Sequence, residues 1–525
     1  MTSRLVIVAV VAALLGVFLP ICAFEQPETS IWPALRFHFK LKRSSMNVYG
    51  QSSFDMYANP TLSENQDKVL YDVSATFKGE STVYNYTLID GTAYSSSWES
   101  ADSGAITTVN CLNSETGKLP AINSIVAALN DAAAVSGDRS ESIDCPSGNL
   151  FKVAVNGVDL ALCALGSSGF TLFGSDMDVT VEFMKNHFDI QEPSTNMNEL
   201  CEKVVASSGV TPFGKSVLTG QPISTDARRL KAAFRFSLKG SACSCKSKPR
   251  PCIFIHGMGV EEELPHNLDN FTEYWGDHLI KHAPCCSSMQ FSHLNTVNHT
   301  WTSATQQQKV CDRALAVSDT STDSVIAETI VVTHSMGNLM LAGAIANGRC
   351  SLDATSTWVG LAGPMKGSMA SDFVQESCAG ERNVVWEKIA NVTGRCPAST
   401  ALKSLAYENG THVSEKMKDA YAEAQEAYRS NIYALMCSKW YSGIASKHQA
   451  EFWALGTMVP HTSHKNDGMV EFQSCSVGFP ESDFGNSWRD RFYKTHLNHY
   501  DMEFLAGDAI LNGQKMPVKW FECLL

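Results

Sequence analysis

What the 525-residue sequence lacks bounds it first. Beyond the first two dozen residues, no stretch approaches the ~18 consecutive apolar residues that a membrane-spanning helix needs. That argues against a transmembrane span. Basic residues are in deficit: 41 Lys and Arg face 54 Asp and Glu, for a net charge of −13. Such a balance speaks against nucleic acid or an anionic membrane surface as a main partner. With 44% hydrophobic and 18% charged residues, the composition is not that of a disordered chain either. Cys243, Cys245 and Cys252 lie close together, but no partner pair stands at zinc-ligand spacing, so disulfides are expected there and not a metal knuckle. Trp520 to Leu525 carries neither an ER-retention tetrapeptide nor a GPI-type tail. No motif implies a redox or nucleotide cofactor, and none is expected.

What is present points to export. Residues 1–23 read as a secretory signal peptide: Arg4 gives a positive start, Leu5 to Leu19 an apolar core, and Ile21-Cys22-Ala23 a small-residue end. Removing Cys22 with that leader leaves an even sixteen of the seventeen cysteines, a disulfide set in an oxidising compartment. Five N-x-S/T sequons, at Asn85, Asn270, Asn298, Asn391 and Asn409, fit a secreted, extracellular glycoprotein.

The length makes two domains the natural expectation. Residues 24–228 read as a β-rich (α+β) N-terminal domain. Segments such as Lys68 to Phe77, Ser81 to Leu88, Leu150 to Val155 and Phe170 to Phe183 are rich in Val, Thr, Tyr and Phe, with Gly, Ser, Asn and Asp turns between them. They predict a curved antiparallel sheet, with a helix near Ile122 to Ala134. No nucleophile–base pair falls inside it, so a substrate-positioning or stabilising role is expected. Residues 229–250 read as a linker with a short basic cluster. From Pro251 strands and helices alternate, the pattern of a mainly parallel sheet covered by helices. The alternation pauses after Gly363, with a long helical stretch over Val413 to Cys437, and the core pattern returns at Phe452 to Leu455. Residues of about 365–450 therefore read as a helical cap or lid above the strand C-termini.

The chemistry gathers on Thr329 to Gly348, TIVVTHSMGNLMLAGAIANG. A β-branched apolar run reads as a buried strand, and the helix formers after Asn338 read as a helix that Gly348 stops. A serine on the sharp turn between them, Ser335, stands where a nucleophile elbow lifts its hydroxyl out of the backbone. The usual first glycine of G-x-S-x-G is replaced by Thr333, whose branched side chain must be fitted into a tight place. His256-Gly257-Met258-Gly259, after the strand Cys252 to Ile255, suits an oxyanion hole, with the N–H groups of Met258 and Met336 as its two donors. Asn466-Asp467-Gly468-Met469-Val470 puts an acid in a turn between strands, and Asn498-His499-Tyr500-Asp501 puts a histidine near the C-terminus. His496 lies close enough to His499 to rival it as base, and Asp353 and Asp372 rival Asp467 as acid. The N-H-x-D setting favours His499, and the turn setting favours Asp467. His334 reads as a packing residue of the elbow, and His461 and His464 as loop histidines near the site.

Pro251 to the C-terminus resembles the α/β-hydrolase superfamily, and within it the triacylglycerol lipases. Ser335, Asp467 and His499 follow that superfamily's chain order. Gly363-Pro364-Met365-Lys366-Gly367-Ser368 is similar to the segment after the sixth strand of such lipases, N-D-G-x-V to the setting of their catalytic acid, and N-H-x-D to that of their histidine. The resemblance implies an α/β-hydrolase fold with a cap, and a serine esterase acting on ester or lipid substrates through an acyl-enzyme, with transient contact to a lipid surface. Calcium-containing bacterial lipases hold their ion partly through an aspartate just after the histidine, and Asp501 occupies that place. Palmitoyl-protein thioesterases share the H-G-M-G start and GPI inositol-deacylases a similar elbow, so a thioesterase, a deacylase or an acyltransferase stands as an alternative on the same scaffold. A non-catalytic secreted binding protein is the alternative of another class.

Overall fold

The computed structural model describes residues 32–525 except 80, 100–107, 113–118, 136–142, 148, 195–200, 224–241, 381–395, 445 and 447. The expected leader, most of the expected linker and the sequon at Asn391 lie outside the described residues.

Twelve strands between Ala34 and Gly209 build one large sheet, and the neighbours pair antiparallel. Ala34–Leu41 sits between Ser53–Leu62 and Met177–Met184, and its alternate side chains Phe37, Phe39 and Leu41 turn into the core. The helix Ile122–Ala128 is fastened to that sheet by Asn123, whose amide bonds both the N–H (2.8 Å) and the C=O (3.1 Å) of Tyr71.

A second sheet has six parallel strands in the order Cys286–Phe291, Arg250–Ile255, Ile330–His334, Thr357–Leu361, Ile432–Ser438, Phe492–Thr495. Because strand side chains alternate, each strand feeds two cores. Ile253, Ile255, Val331, Trp358 and Leu435 pack under the helices Ala304–Leu315, Met336–Ala346 and Glu415–Asn431. Phe254, Ile330, Val332, Val359 and Met436 face the other way, toward Trp275 and the C-terminal helix Pro517–Leu524. From Arg250–Ile255 the chain first steps to one edge, then returns to place Ile330–His334 on the other side. This reversal opens a crevice at the carboxyl ends of those two strands, where ligands of such sheets sit.

Four expectations need correction. The stretch Val413 to Cys437 is not one helix: it breaks at Asn431, and Ile432–Ser438 is a central strand. No glycine or proline marks the break, and the apolar positions run on smoothly. Burial on both faces of the sheet overrides the helical pattern. The cap expected at about 365–450 therefore has a core strand inside it, and the covering residues fall into two excursions, after Leu361 and after Ser438. Phe452 to Leu455 lies in the helix Gln449–Met458. Asp467 lies in the loop between that helix and the helical turn Phe472–Cys475, not in a turn between strands.

Eight disulfides pair all sixteen cysteines after Cys22. The close trio is split among three of them: Cys243–Cys523, Cys245–Cys285 and Cys252–Cys286. Cys437–Cys475 ties the strand Ile432–Ser438 to the turn after Asp467.

The two sheets meet over a buried ionic seam. Arg43, with its side chain fully buried, donates to Glu522 at 2.6 Å and lies 3.5 Å from Asp508. Ser45 donates to Asp508 (2.6 Å), His282 Nδ1 lies 2.8 Å from Glu522, and Lys519 pairs with Asp176. Burial alone would push the Glu522 carboxyl up; hydrogen bonds from His282 and Arg43 outweigh it and hold the group down to about 2, against an ordinary 4.5. A depressed carboxyl stabilises the fold fully above pH 4.5 and loses that stabilisation as pH falls through 2. Glu522→Gln is expected to cost on the order of 3 kcal/mol at neutral pH. Denaturant melts of the variant should also show a flatter stability profile between pH 4.5 and 2 than the parent.

Candidate active site

Ser335 ends the strand Ile330–His334 and precedes the helix Met336–Ala346, at φ 52° and ψ −128°. A non-glycine residue rarely adopts this conformation, and its strain has to be compensated by the surroundings. Its hydroxyl is not spent on capping the helix. It lies 2.8 Å from His499 Nε2, and His499 Nδ1 lies 2.8 Å from Asp467 Oδ2. The other oxygen of Asp467 accepts the N–H groups of Met469 (2.9 Å) and Val470 (2.7 Å). Asp467 is therefore an acceptor throughout, His499 carries its proton on Nδ1, and the Nε2 lone pair faces the serine. All three residues are buried. A serine with its proton aimed at a positioned imidazole can attack an electrophilic carbon and return the proton to a leaving group.

The turn His256–Gly259 lies directly on the serine. A Cβ on Gly257 would stand 2.5 Å from Ser335 Cβ, and one on Gly337 2.7 Å from the Ile255 carbonyl oxygen, so both positions need glycine for close approach. Met336 opens the helix, so its N–H has no intrahelical acceptor and joins the positive end of the helix dipole. Met258 lines a cavity of about 190 Å³ over Ser335, with Val374, Leu402, Leu405, Leu455 and Met469 as its apolar wall. His256 is fixed at both nitrogens, toward Gly257 O (2.8 Å) and the Leu294 N–H (3.0 Å), and burial pushes it down to about 4.

The residue in place of the usual first glycine earns its fit through its hydroxyl. Thr333 Oγ1 accepts from Trp358 Nε1 (2.7 Å) and donates to Asn338 Oδ1 (2.6 Å). The Asn338 amide nitrogen in turn reaches the carbonyls of Thr333, Ser335 and Leu361 at 3.0–3.3 Å. His334 is locked as well: Nε2 meets the carbonyl of His499 (3.1 Å) and Nδ1 meets the Tyr274 hydroxyl (2.6 Å). A carbonyl only accepts, so the proton is on Nε2 and Tyr274 donates to Nδ1. The same hydroxyl accepts the Gly257 N–H at 2.7 Å. Burial pushes the His334 ring well below its ordinary value, and burial pushes Glu503, 3.6 Å away, well above its own. Tyr274, Asn338 and Trp358 were not legible as site residues; the threonine in a glycine's place was the one signal that something had to be accommodated.

The rival residues are placed elsewhere. His496 bonds through its backbone to Gln514 and lies beside Trp440; burial, with Lys439 and Lys515 adding, pushes it down to about 4. Asp353 holds the surface turn at Thr355 and Ser356, and Asp372 accepts the Tyr407 N–H. His461 lies 2.7 Å from Glu471, and His464 sits in the same loop. The Asp501 carboxylate accepts the N–H groups of Ile444 (2.6 Å) and Asn498 (3.3 Å) beside the buried Lys515 ammonium. Among the described residues, no group of three His, Cys, Asp or Glu side chains could hold a metal ion.

No family model matches the chain, and neither does any curated protein. Several solved structures are similar in part, three bacterial lipases among them. A Bacillus licheniformis lipase (BlEst2, mature form) aligns at 14% identity over 52% of this chain and 89% of that one, with a TM-score of 0.32. A Staphylococcus hyicus lipase aligns at 12% identity over 54% and 95%, with a TM-score of 0.28. Lipase 1 from Pelosinus fermentans aligns at 12% identity over 53% and 97%, also at 0.28. At these scores the functional reading is left to the geometry of the site itself.

Thr333→Val keeps the shape and removes the hydroxyl, leaving Trp358 Nε1 and Asn338 Oδ1 unpaired in the core. The expected loss is about 2–6 kcal/mol, since each of the two orphaned groups costs about 1–3. Thermal or chemical denaturation would read it, and a neutral result would remove the hydroxyl from the account of the elbow.

Proposed function

We propose that the chain is a secreted serine hydrolase of the α/β-hydrolase architecture that cleaves carboxylic esters, lipid esters among them. The observation that carries the reading is the unbroken line from Asp467 through His499 to Ser335, 2.8 Å at each step, on a serine in a strained strand-to-helix turn. Its export rests on the eight-disulfide framework and the leader-like start. The apolar wall of the cavity over Ser335 suits an acyl chain.

In the proposed reaction, His499 takes the serine proton as Ser335 Oγ attacks the acyl carbonyl. Asp467 holds the imidazole in the required tautomer and stabilises the imidazolium. The Met258 and Met336 amides face the oxyanion, where one such donor is typically worth about 3–4 kcal/mol. His499 returns the proton to the departing alkoxide, and water, activated by the same histidine, frees the acid from Ser335.

A fluorophosphonate reagent is expected to label Ser335, and Ser335→Ala to abolish labelling. His499→Ala should remove nearly all of it, while His496→Ala leaves it intact. Asp467→Asn should lower kcat by about 10⁴ through the wrong tautomer. Tyr274→Phe, which loses the oxygen that receives the Gly257 N–H, should lower kcat about tenfold or more at little change in KM. Folded wild-type protein that neither labels nor hydrolyses p-nitrophenyl esters of any chain length would sink the enzyme reading.

A further inference from the structure

A larger cavity, of about 530 Å³, lies where the N-terminal sheet meets the parallel one, and it shares no lining residue with the cavity over Ser335. Its floor is apolar, with Val48, Phe77, Leu112 and Leu119 all buried, and Leu505 faces them from the other side. At its rim stand His278 and Lys281. Asp277, the acid on the lining, lies 3.8 Å from His278 Nδ1. Lys281 is exposed and has no ion-pair partner among the described residues. The cavity is thus apolar within, and at one edge it carries both the Lys281 ammonium and the Asp277 carboxylate beside His278.

One feature marks it as built for an occupant. Val48 and Gln51 bridge a two-residue turn, Tyr49-Gly50, in which both residues have positive φ, 47° and 79°. Turns of this kind favour Asn, Asp or Gly at the first position, and a tyrosine there is strained. The ring is 46% exposed, yet it is held flat on Tyr84 at 3.8 Å and lies 5.5 Å from Phe77, so the strain serves to set an aromatic wall.

We propose that this cavity binds a single-chain amphiphile with an anionic head, a long-chain fatty acid being the simplest, with its chain over Val48, Phe77 and Leu112 and its carboxylate at Lys281. The volume lies within the range of sites that enclose one ligand of that size. The site goes beyond the hydrolase reading and does not need Ser335 to be a nucleophile. Its far wall, Asp277 to Lys281 with Leu505 and Ala506, continues directly from Tyr274 and Glu503, the residues that hold His334. Asn85 borders the same space, its amide tied to Thr87 and Thr76, so a glycan on that sequon and a bound chain exclude one another.

The test titrates full-length Ser335→Ala protein with cis-parinaric acid below its micelle concentration, which separates binding from any turnover. Saturable binding is expected. Lys281→Glu should weaken it at least tenfold, and Ser95→Phe, which fills the cavity at unchanged charge, should abolish it. Both substitutions, placed in the wild-type chain, should leave fluorophosphonate labelling unchanged. Absence of saturable binding overturns the proposal. So does equal affinity in the Ser95→Phe protein, which would place the ligand over Ser335 instead. Equal affinity for hexadecanol would remove the anionic head, and a glycan found on Asn85 by mass spectrometry would close the site.

Discussion

The carboxamide of Asn338 is the constraint on which the rest of the site depends. It stands three residues after Ser335, in the first turn of the helix, and it reaches the carbonyls of Thr333, Ser335 and Leu361 while its oxygen receives the Thr333 hydroxyl. Three segments, the strand Ile330–His334, the turn itself and the neighbouring strand Thr357–Leu361, are thereby held to one side chain. Ser335 occupies a backbone conformation that costs of order 1–3 kcal/mol. A set of buried hydrogen bonds of net ~1 kcal/mol each is of the right size to offset it. The same side chain explains two glycines in the next strand and loop. A Cβ on Gly360 would lie 2.8 Å from Asn338 Oδ1, and one on Gly363 would lie 3.0 Å from Asn338 Cβ.

That arrangement shows which parts of the molecule could be read in advance. The strand Ile330–His334, the helix behind it and the serine between them were legible because they obey local rules: a β-branched run, helix formers, a sharp turn. Asp467 and His499 were legible as local settings, and in the folded chain they meet at one point although 32 residues separate them, and 164 separate the histidine from the serine. Ile432–Ser438 was not legible as a strand. Its sequence, IYALMCS, continues the apolar spacing of the helix before it, and only the two layers packed on either face of the sheet decide between the two conformations. Thr333 showed that a pattern was broken. The repair, through Trp358 and Asn338, is a tertiary contact that no window of sequence contains.

The N-terminal sheet was legible as a sheet, from alternation and turn residues, but its attachment was not. Arg43, His282, Asp508 and Glu522 come from three distant parts of the chain, and nothing in their local sequence marks them as partners. Buried together they satisfy one another. Such a cluster contributes less through net attraction than through the cost of removing any one member, which would strand the others without water. It fixes the docking of the sheet on the C-terminal helix Pro517–Leu524 in one orientation. The disulfide Cys243–Cys523 closes the same corner covalently.

The loops around Ser335 are held on the same plan, each by a buried polar group whose partner lies on a different loop. Tyr274 joins the Gly257 turn to the elbow, and His334 passes that connection on to the carbonyl of His499. Asp501, two residues beyond the histidine, takes the Ile444 amide, while Lys515 takes the Gly443 carbonyl next to it. At the place where the lipase resemblance implies a cation, the chain brings the ammonium of its own lysine beside the aspartate. A tethered cation differs from a bound ion in one physical respect: it is not lost by dilution. Burial pushes that ammonium down to about 8, with Asp501 opposing the shift, so the brace keeps its charge in neutral solution and gives it up above that pH. The Gly257 turn and His334 are thus held through the Tyr274 hydroxyl, whereas His499 is held by the Asp467 carboxylate on its ring and, through Asp501, by the turn that Lys515 clamps.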